Sequence, residues 1–192
     1  MSSQYTYIIC NAATDIGKKV ADVLLAQNCH IILAGPTYAA LSAMEKELNE
    51  NGEHSIEVAL LEPSKEIDWQ NLSDSLDDKL AGVIHIHELD VDNSLFFDTS
   101  YAQFSTIIDE QLWGTYLSAK VLANLFQENQ TGMMIHLVEE NTSSPYYSMI
   151  TNALEALIQT IQKEMHNDNI HIKYFEVTND SIENLMQTHV LK

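Results

Sequence analysis

Short β-branched segments alternate with stretches of helical periodicity along the whole chain, and this alternation is what most restricts the fold. Strand signals fall at residues 5–10, 30–34, 56–61, 81–87, 133–138 and 170–177. Helical spacing falls at 15–27, 38–49, 67–76, 101–128, 146–167 and 181–188, with Asn51 and Gly52 as a stop after the second helix. The strand segments are nearly continuously apolar, as strands covered on both faces are. The pattern predicts an α/β fold: a doubly wound, mostly parallel, Rossmann-like sheet of about six strands with helices on both faces. No repeat, low-complexity segment or linker interrupts it, so residues 1–192 read as one domain.

Charge excludes several functions. The chain carries 28 acidic and 9 basic residues, a formal net charge of -19, and every basic residue is a lysine. Nucleic acid would be repelled, and an anionic membrane surface is disfavoured for the same reason. Without arginine, no bidentate guanidinium clamp on phosphate or carboxylate can form. No apolar run reaches the roughly 20 residues that span a bilayer. The first ten residues lack a basic segment and cleavage site, so no signal peptide is expected. Cys10 and Cys29 make no disulfide framework, and the cytoplasm is the expected location.

Doubly wound sheets bind ligands at the carboxyl ends of their strands. The first such turn reads Cys10-Asn11-Ala12-Ala13-Thr14-Asp15-Ile16-Gly17. Further on stand His85-Ile86-His87-Glu88, then Gln111 three residues before Gly114, then a strand over 133–138, then Tyr147 four residues before Thr151. In order and rough spacing these positions resemble the short-chain dehydrogenase/reductase family, over nearly the whole chain. That family carries TGxxxGIG at the first turn, NNAG on the fourth strand, NxxG in the long helix, a serine after the fifth strand and YxxxK on the next helix. The resemblance implies a Rossmann fold, an NAD(P) cofactor and hydride transfer with tyrosine as general acid/base.

Most of those motif positions have changed. The family's first two glycines fall on Asn11 and Asp15, and only Gly17 remains. Asn11 tolerates a left-handed backbone. Asp15 places a carboxylate where the helix dipole would otherwise attract a phosphate. Equally, Asp15 can stabilise the helix start with Thr14 as its cap. The cofactor-binding positions implied by the resemblance are therefore Asn11, Thr14, Asp15, Ile16 and Gly17. Glu62 joins them, where the family often sets an aspartate against the adenine, as does His85 in the fourth-strand motif. The second strand ends in Ala34-Gly35-Pro36-Thr37, with neither the acidic reader of NAD nor the basic reader of NADP. No cofactor is expected; NAD(H) stays open, and NADP(H) is disfavoured by the missing arginine.

The catalytic positions implied by the resemblance are Tyr147, Glu139 and Gln111. Tyr147 is kept, but Thr151 replaces the lysine that would lower its pKa. Glu139 stands at the serine's place, where a carboxylate would raise the phenol's pKa further. Ser143 or Ser144 are alternatives for the serine, and Gln111 replaces the asparagine. His85 and His87 share a strand face, and with His136 and Glu139 they sketch a metal set. Alternation separates His136 from Glu139, so no metal is expected, and the histidines read as polar filling of the old cofactor cleft. After the sixth strand Thr178 and Asn179 lead to a short helix, so most of the family's substrate lid is expected to be lacking.

The expected function is a degenerate dehydrogenase-like protein without classical hydride transfer, kept for binding or oligomeric assembly. The alternative is an NAD(P)-dependent oxidoreductase with altered motifs that uses Tyr147. The resemblance implies a homodimer or tetramer through helices 101–128 and 146–167, or a heteromer with an active relative.

Overall fold

The structure, a computed structural model, describes residues 5–50, 52, 54–76, 80–89, 96–140, 146–165 and 169–191. Six strands form one sheet: β1 (Thr6–Cys10), β2 (His30–Gly35), β3 (Ile56–Leu60), β4 (Leu80–His87), β5 (Gly132–Glu139) and β6 (Ile170–Val177). Their spatial order is β3-β2-β1-β4-β5-β6, and every pairing is parallel. Strand order reverses between β1 and β4, and that reversal opens the crevice characteristic of the Rossmann arrangement.

Alternation within each strand divides the core in two. In β1, Ile8 and Cys10 face one side, while Tyr7 and Ile9 face the other. On the first side lie α3 (Glu66–Ser75), α5 (Gly114–Asn129) and α6 (Tyr147–Glu164), burying Trp69, Leu117, Phe126 and Leu154. On the second lie α1 (Asp15–Leu25), α2 (Tyr38–Leu48) and α7 (Ile182–His189), burying Val20, Leu24, Leu41 and Met186. The two layers bury the central strands β1, β2, β4 and β5 almost completely, while the edge strand β3 stays partly exposed. No helix of the described residues is long and apolar enough to cross a membrane.

The sequence pattern and the structure differ in detail. The long helix expected over 101–128 is not uniform. It comprises α4 (Tyr101–Ile108), a π-helical turn Asp109–Trp113, and α5. Ser100 starts it with a capping box, exchanging hydrogen bonds with Gln103. Gly114 follows the π turn, and a Cβ there would lie 2.8 Å from Pro63 Cβ. The helix thus passes the loop after β3 at a distance only glycine permits. α6 ends at Glu164, short of the expected 167, and residues 166–168 lie outside the described residues. Of the expected stop after α2, Gly52 has a φ of 66°, and Asn51 lies outside the described residues.

Candidate functional site

The crevice holds a cavity of about 340 Å³ at the carboxyl ends of β1 and β4. Its walls come from the first turn (Cys10, Asn11), the loop after β3 (Glu62, Pro63, Ser64), the tip of β4 (His85–Glu88) and the π turn with its successors (Glu110, Gln111, Gly114, Thr115).

The first turn is built locally. Asn11 has a φ of 57°, the left-handed conformation that asparagine adopts more readily than most residues. Its Nδ2 donates to the Ile86 carbonyl at 3.4 Å, tying the turn to β4. Ala12 N–H donates to the Ala34 carbonyl at 3.1 Å, tying it to β2. Thr14 is the N-cap of α1, its Oγ1 accepting from Gly17 N–H at 3.0 Å. A Cβ on Gly17 would meet the Ala12 carbonyl oxygen at 2.1 Å, so this glycine is required for helix-to-turn packing whatever binds nearby. Asp15 is exposed in the first turn of α1, and Ile16 is a core residue at 1% exposure.

At the sheet's centre three histidines stack. His85 pairs in register with His136 on β5, and their rings lie 4.7 Å apart and 6° from parallel. His87 lies 5.4 Å from His136, and Trp69 lies 5.6 Å from His85. Hydrogen bonds set the tautomers. Gln111 Oε1 can only accept, so His87 donates from Nδ1 at 2.7 Å. His87 Nε2 then accepts from His136 Nδ1 at 3.1 Å. The chain of bonds ends at His136 Nε2, a buried lone pair with no hydrogen-bond partner; His85 Nε2 has none either. Burial pushes His85 down to about 3, with His87 adding to the effect. Burial likewise pushes His87 down to about 4, against the pull of Gln111. His136 is held well below the ordinary range, by burial first and then by His85 and His87. All three are therefore neutral imidazoles at physiological pH. Among the described residues, no three His, Cys, Asp or Glu side chains are arranged to hold a metal. Near-parallel rings do not aim their lone pairs at one point.

The remaining motif positions scatter. Gln111 reaches the cleft and orients His87, and its Nε2 donates to the Glu88 carbonyl at 3.5 Å. Glu62 sits exposed on the rim, its carboxylate 2.7 Å from Lys65 Nζ. Tyr147 does not line the cavity. Its hydroxyl donates to Glu176 Oε2 at 2.6 Å. Burial and then Glu176 raise its pKa above the ordinary phenol value. Thr151, at the position of the family's lysine, donates to the Ser148 carbonyl at 3.3 Å.

The carboxylate bonded to Tyr147 is Glu176, not Glu139 at the position of the family's serine. Glu139 pairs in register with Val177, whose side chain packs with the α1 and α7 layer. Glu176, one residue earlier, has the opposite parity and faces α6. Ser143 and Ser144 lie outside the described residues. Trp69, Glu110 and Glu176 fall on none of the family's motif positions. For Glu176 a signal existed, since alternation in IHIKYFEV sets Ile172, Tyr174 and Glu176 on one face.

No protein-family model and no curated protein sequence matches the chain. Solved structures do match, at low identity. A short-chain dehydrogenase from Rhodopseudomonas palustris aligns with a TM-score of 0.83 at 16% identity, over 98% of this chain and 92% of that one. A metagenomic short-chain oxidoreductase in complex with NADP aligns at 0.81 and 13% identity, over 98% and 92%. An alcohol dehydrogenase from the archaeon Thermococcus sibiricus, complexed with 5-hydroxy-NADP, aligns at 0.81 and 16%, over 98% and 91%. The chain has the short-chain dehydrogenase/reductase fold.

Proposed function

We propose that this chain uses a dehydrogenase fold for binding or assembly and does not carry out classical hydride transfer. The observation that carries the reading is the Tyr147–Glu176 pair. A tyrosine base must give up its proton near neutral pH, which a neighbouring cation promotes and a neighbouring carboxylate opposes. Tyr147 has the carboxylate at 2.6 Å, and Thr151 replaces the cation.

The first turn supports the same reading. A dinucleotide pyrophosphate needs open N–H groups and favourable charge at the start of α1. There Thr14 already takes the Gly17 N–H, and Asp15 adds a carboxylate. The residues present do not fit the pyrophosphate. Assembly would use the helical segments 101–128 and 146–167, as a homodimer, a tetramer or a heteromer with an active dehydrogenase. The free thiols of Cys10 and Cys29 suit a reducing cytoplasm.

The second reading, an NAD(P)-dependent oxidoreductase with Tyr147 as acid/base, is favoured by the bound NADP and 5-hydroxy-NADP of the similar structures. Titration with NADH and NADPH, followed by nicotinamide fluorescence, separates the two. The expected result is no saturable binding to the native chain, and a gain when Asp15 is changed to Lys. Saturable binding of either dinucleotide, with turnover abolished by Tyr147→Phe, would establish the enzyme instead.

A further inference from the structure

We infer that the outer edge of β6 docks an extended peptide of alternating apolar and basic residues, as one more strand of the sheet. β6 ends the strand order, and among the described residues no strand lies beyond it. None of the residues lining the cleft comes from β6, so this surface stands apart from any reading of that cleft. Gly132 N–H donates to the Asn169 carbonyl, and Glu140 N–H to that of Val177. The odd-numbered residues of β6 therefore turn their peptide groups to β5, while Ile170, Ile172, Tyr174 and Glu176 turn theirs outward. Outward peptide groups on a long strand are a template for pairing with another chain.

The start of this edge already holds an amide. Gln162 of α6 donates from Nε2 to the Ile170 carbonyl at 3.2 Å, and its Oε1 accepts from Ile172 N–H at 2.7 Å. One residue of a parallel strand, set opposite His171, makes the same two bonds. Gln162 stands in for that residue. Past it, the Ile172 carbonyl, both peptide groups of Tyr174 and the Glu176 N–H point the same way, with no backbone partner among the described residues. Peptide residues opposite Lys173 and Phe175 would bond these groups. Alternation then assigns the side chains. Residues opposite Lys173 and Phe175 share the face of Phe175, which packs with the α1 and α7 layer and against His189, so apolar side chains suit them. Residues opposite Tyr174 and Glu176 share the α6 face, where Glu155 and Glu176 are exposed. Burial raises the Tyr174 phenol first, and these two carboxylates raise it further, with no lysine opposing them. Glu176 accepts from Tyr147, and a carboxylate has lone pairs for a second donor. Basic side chains match that face. A second copy of this chain, with its net charge of -19, is the poorer occupant.

The test is calorimetric titration of the full chain with a blocked peptide of alternating valine and lysine, about six residues long. Salt at about 0.15 M largely screens diffuse attraction to the acidic surface. One saturable site per chain is expected, with hydrogen exchange slowed at the Tyr174 and Glu176 amides. N-Methylation of the valines removes the donors that face β6 and should abolish binding. N-Methylation of the lysines, whose N–H groups face away, should leave it. Glu176→Gln should weaken binding roughly threefold, as loss of a surface ion pair does. Glu45→Gln, on α2 at the opposite edge of the sheet, should leave it unchanged. The proposal is overturned if the peptide gives no saturable heat, if the two methylated forms bind alike, or if exchange at Tyr174 and Glu176 is unchanged at saturation. Equal loss in the two glutamine variants, or equal binding of a valine–glutamate peptide, overturns it as well.

Discussion

His136 is fully buried, belongs to a chain of neutral imidazoles, and faces no carboxylate within hydrogen-bond reach. Its stability cost is therefore set by protons. In the unfolded chain each histidine takes up a proton near its ordinary pKa of about 6.5. In the fold His87 does so only near 4 and His85 only near 3. Between those limits the unfolded state holds more protons, so acid favours unfolding. Stability should be full above pH of about 6.5 and fall below it, by up to about 1.4 kcal/mol per pH unit for each histidine. Urea unfolding midpoints at pH 7.5, 6 and 5 measure this. His85→Phe removes one titrating group and one unpaired atom, and leaves the His87–His136 bond in place. It should reduce the acid slope by roughly a third and cost little at pH 7.5. An unchanged slope would show that the acid response comes from the carboxylates instead. Gly17→Ala is the opposite kind of change. Its Cβ has only 2.1 Å to the Ala12 oxygen, so the turn or α1 must move, and a loss of about 2 kcal/mol or more is expected in the same assay.

Among the elements, α1 illustrates how local chemistry fixes a boundary. Thr14 is extended, its hydroxyl takes an orphan N–H, and Asp15 complements the dipole one residue later. Thr14→Ala should lower stability by about 1 kcal/mol, while Thr14→Ser should restore most of it, as read by thermal or urea melts. This cap, like the left-handed Asn11, was legible in the sequence because both depend on residues within one turn. The strand–helix alternation was legible because each apolar period repeats over many residues. The π turn was not. It adds one residue to a single turn, too small a phase change to show in the hydrophobic period of 101–128. The Tyr147–Glu176 bond was legible only in part: alternation groups Glu176 with Tyr174, but which helix that face meets depends on how β6 registers against β5. Sequence position singles out Glu139, whereas the sheet presents Glu176 to α6. The histidine cluster lies between these cases. Parity grouped His85 with His87, but only the β4–β5 register sets His136 against His85.

At the scale of the molecule, the net charge of -19 acts on every association the fold could enter. Two identical chains repel each other at long range, and only short-range apolar contact can overcome this. The outer surface near the start of α5 offers such contact: Trp113 and Tyr116 are 45% and 41% exposed and stack with rings 5.2 Å apart. An exposed aromatic pair beside acidic surface gives association a characteristic salt dependence. Raising ionic strength shortens the Debye length from about 30 Å at 0.01 M to about 8 Å at 0.15 M. Repulsion then fades while the apolar contact persists. If the chain assembles through α5 and α6, sedimentation at roughly tens of micromolar should show more dimer or tetramer as salt rises over that range. Tyr116→Glu, which adds charge and removes apolar area at the contact, should return the protein to monomer at every salt concentration. A wild-type chain that stays monomeric at 0.15 M and above leaves assembly without support, and the surfaces of the single chain would then have to account for what this fold binds.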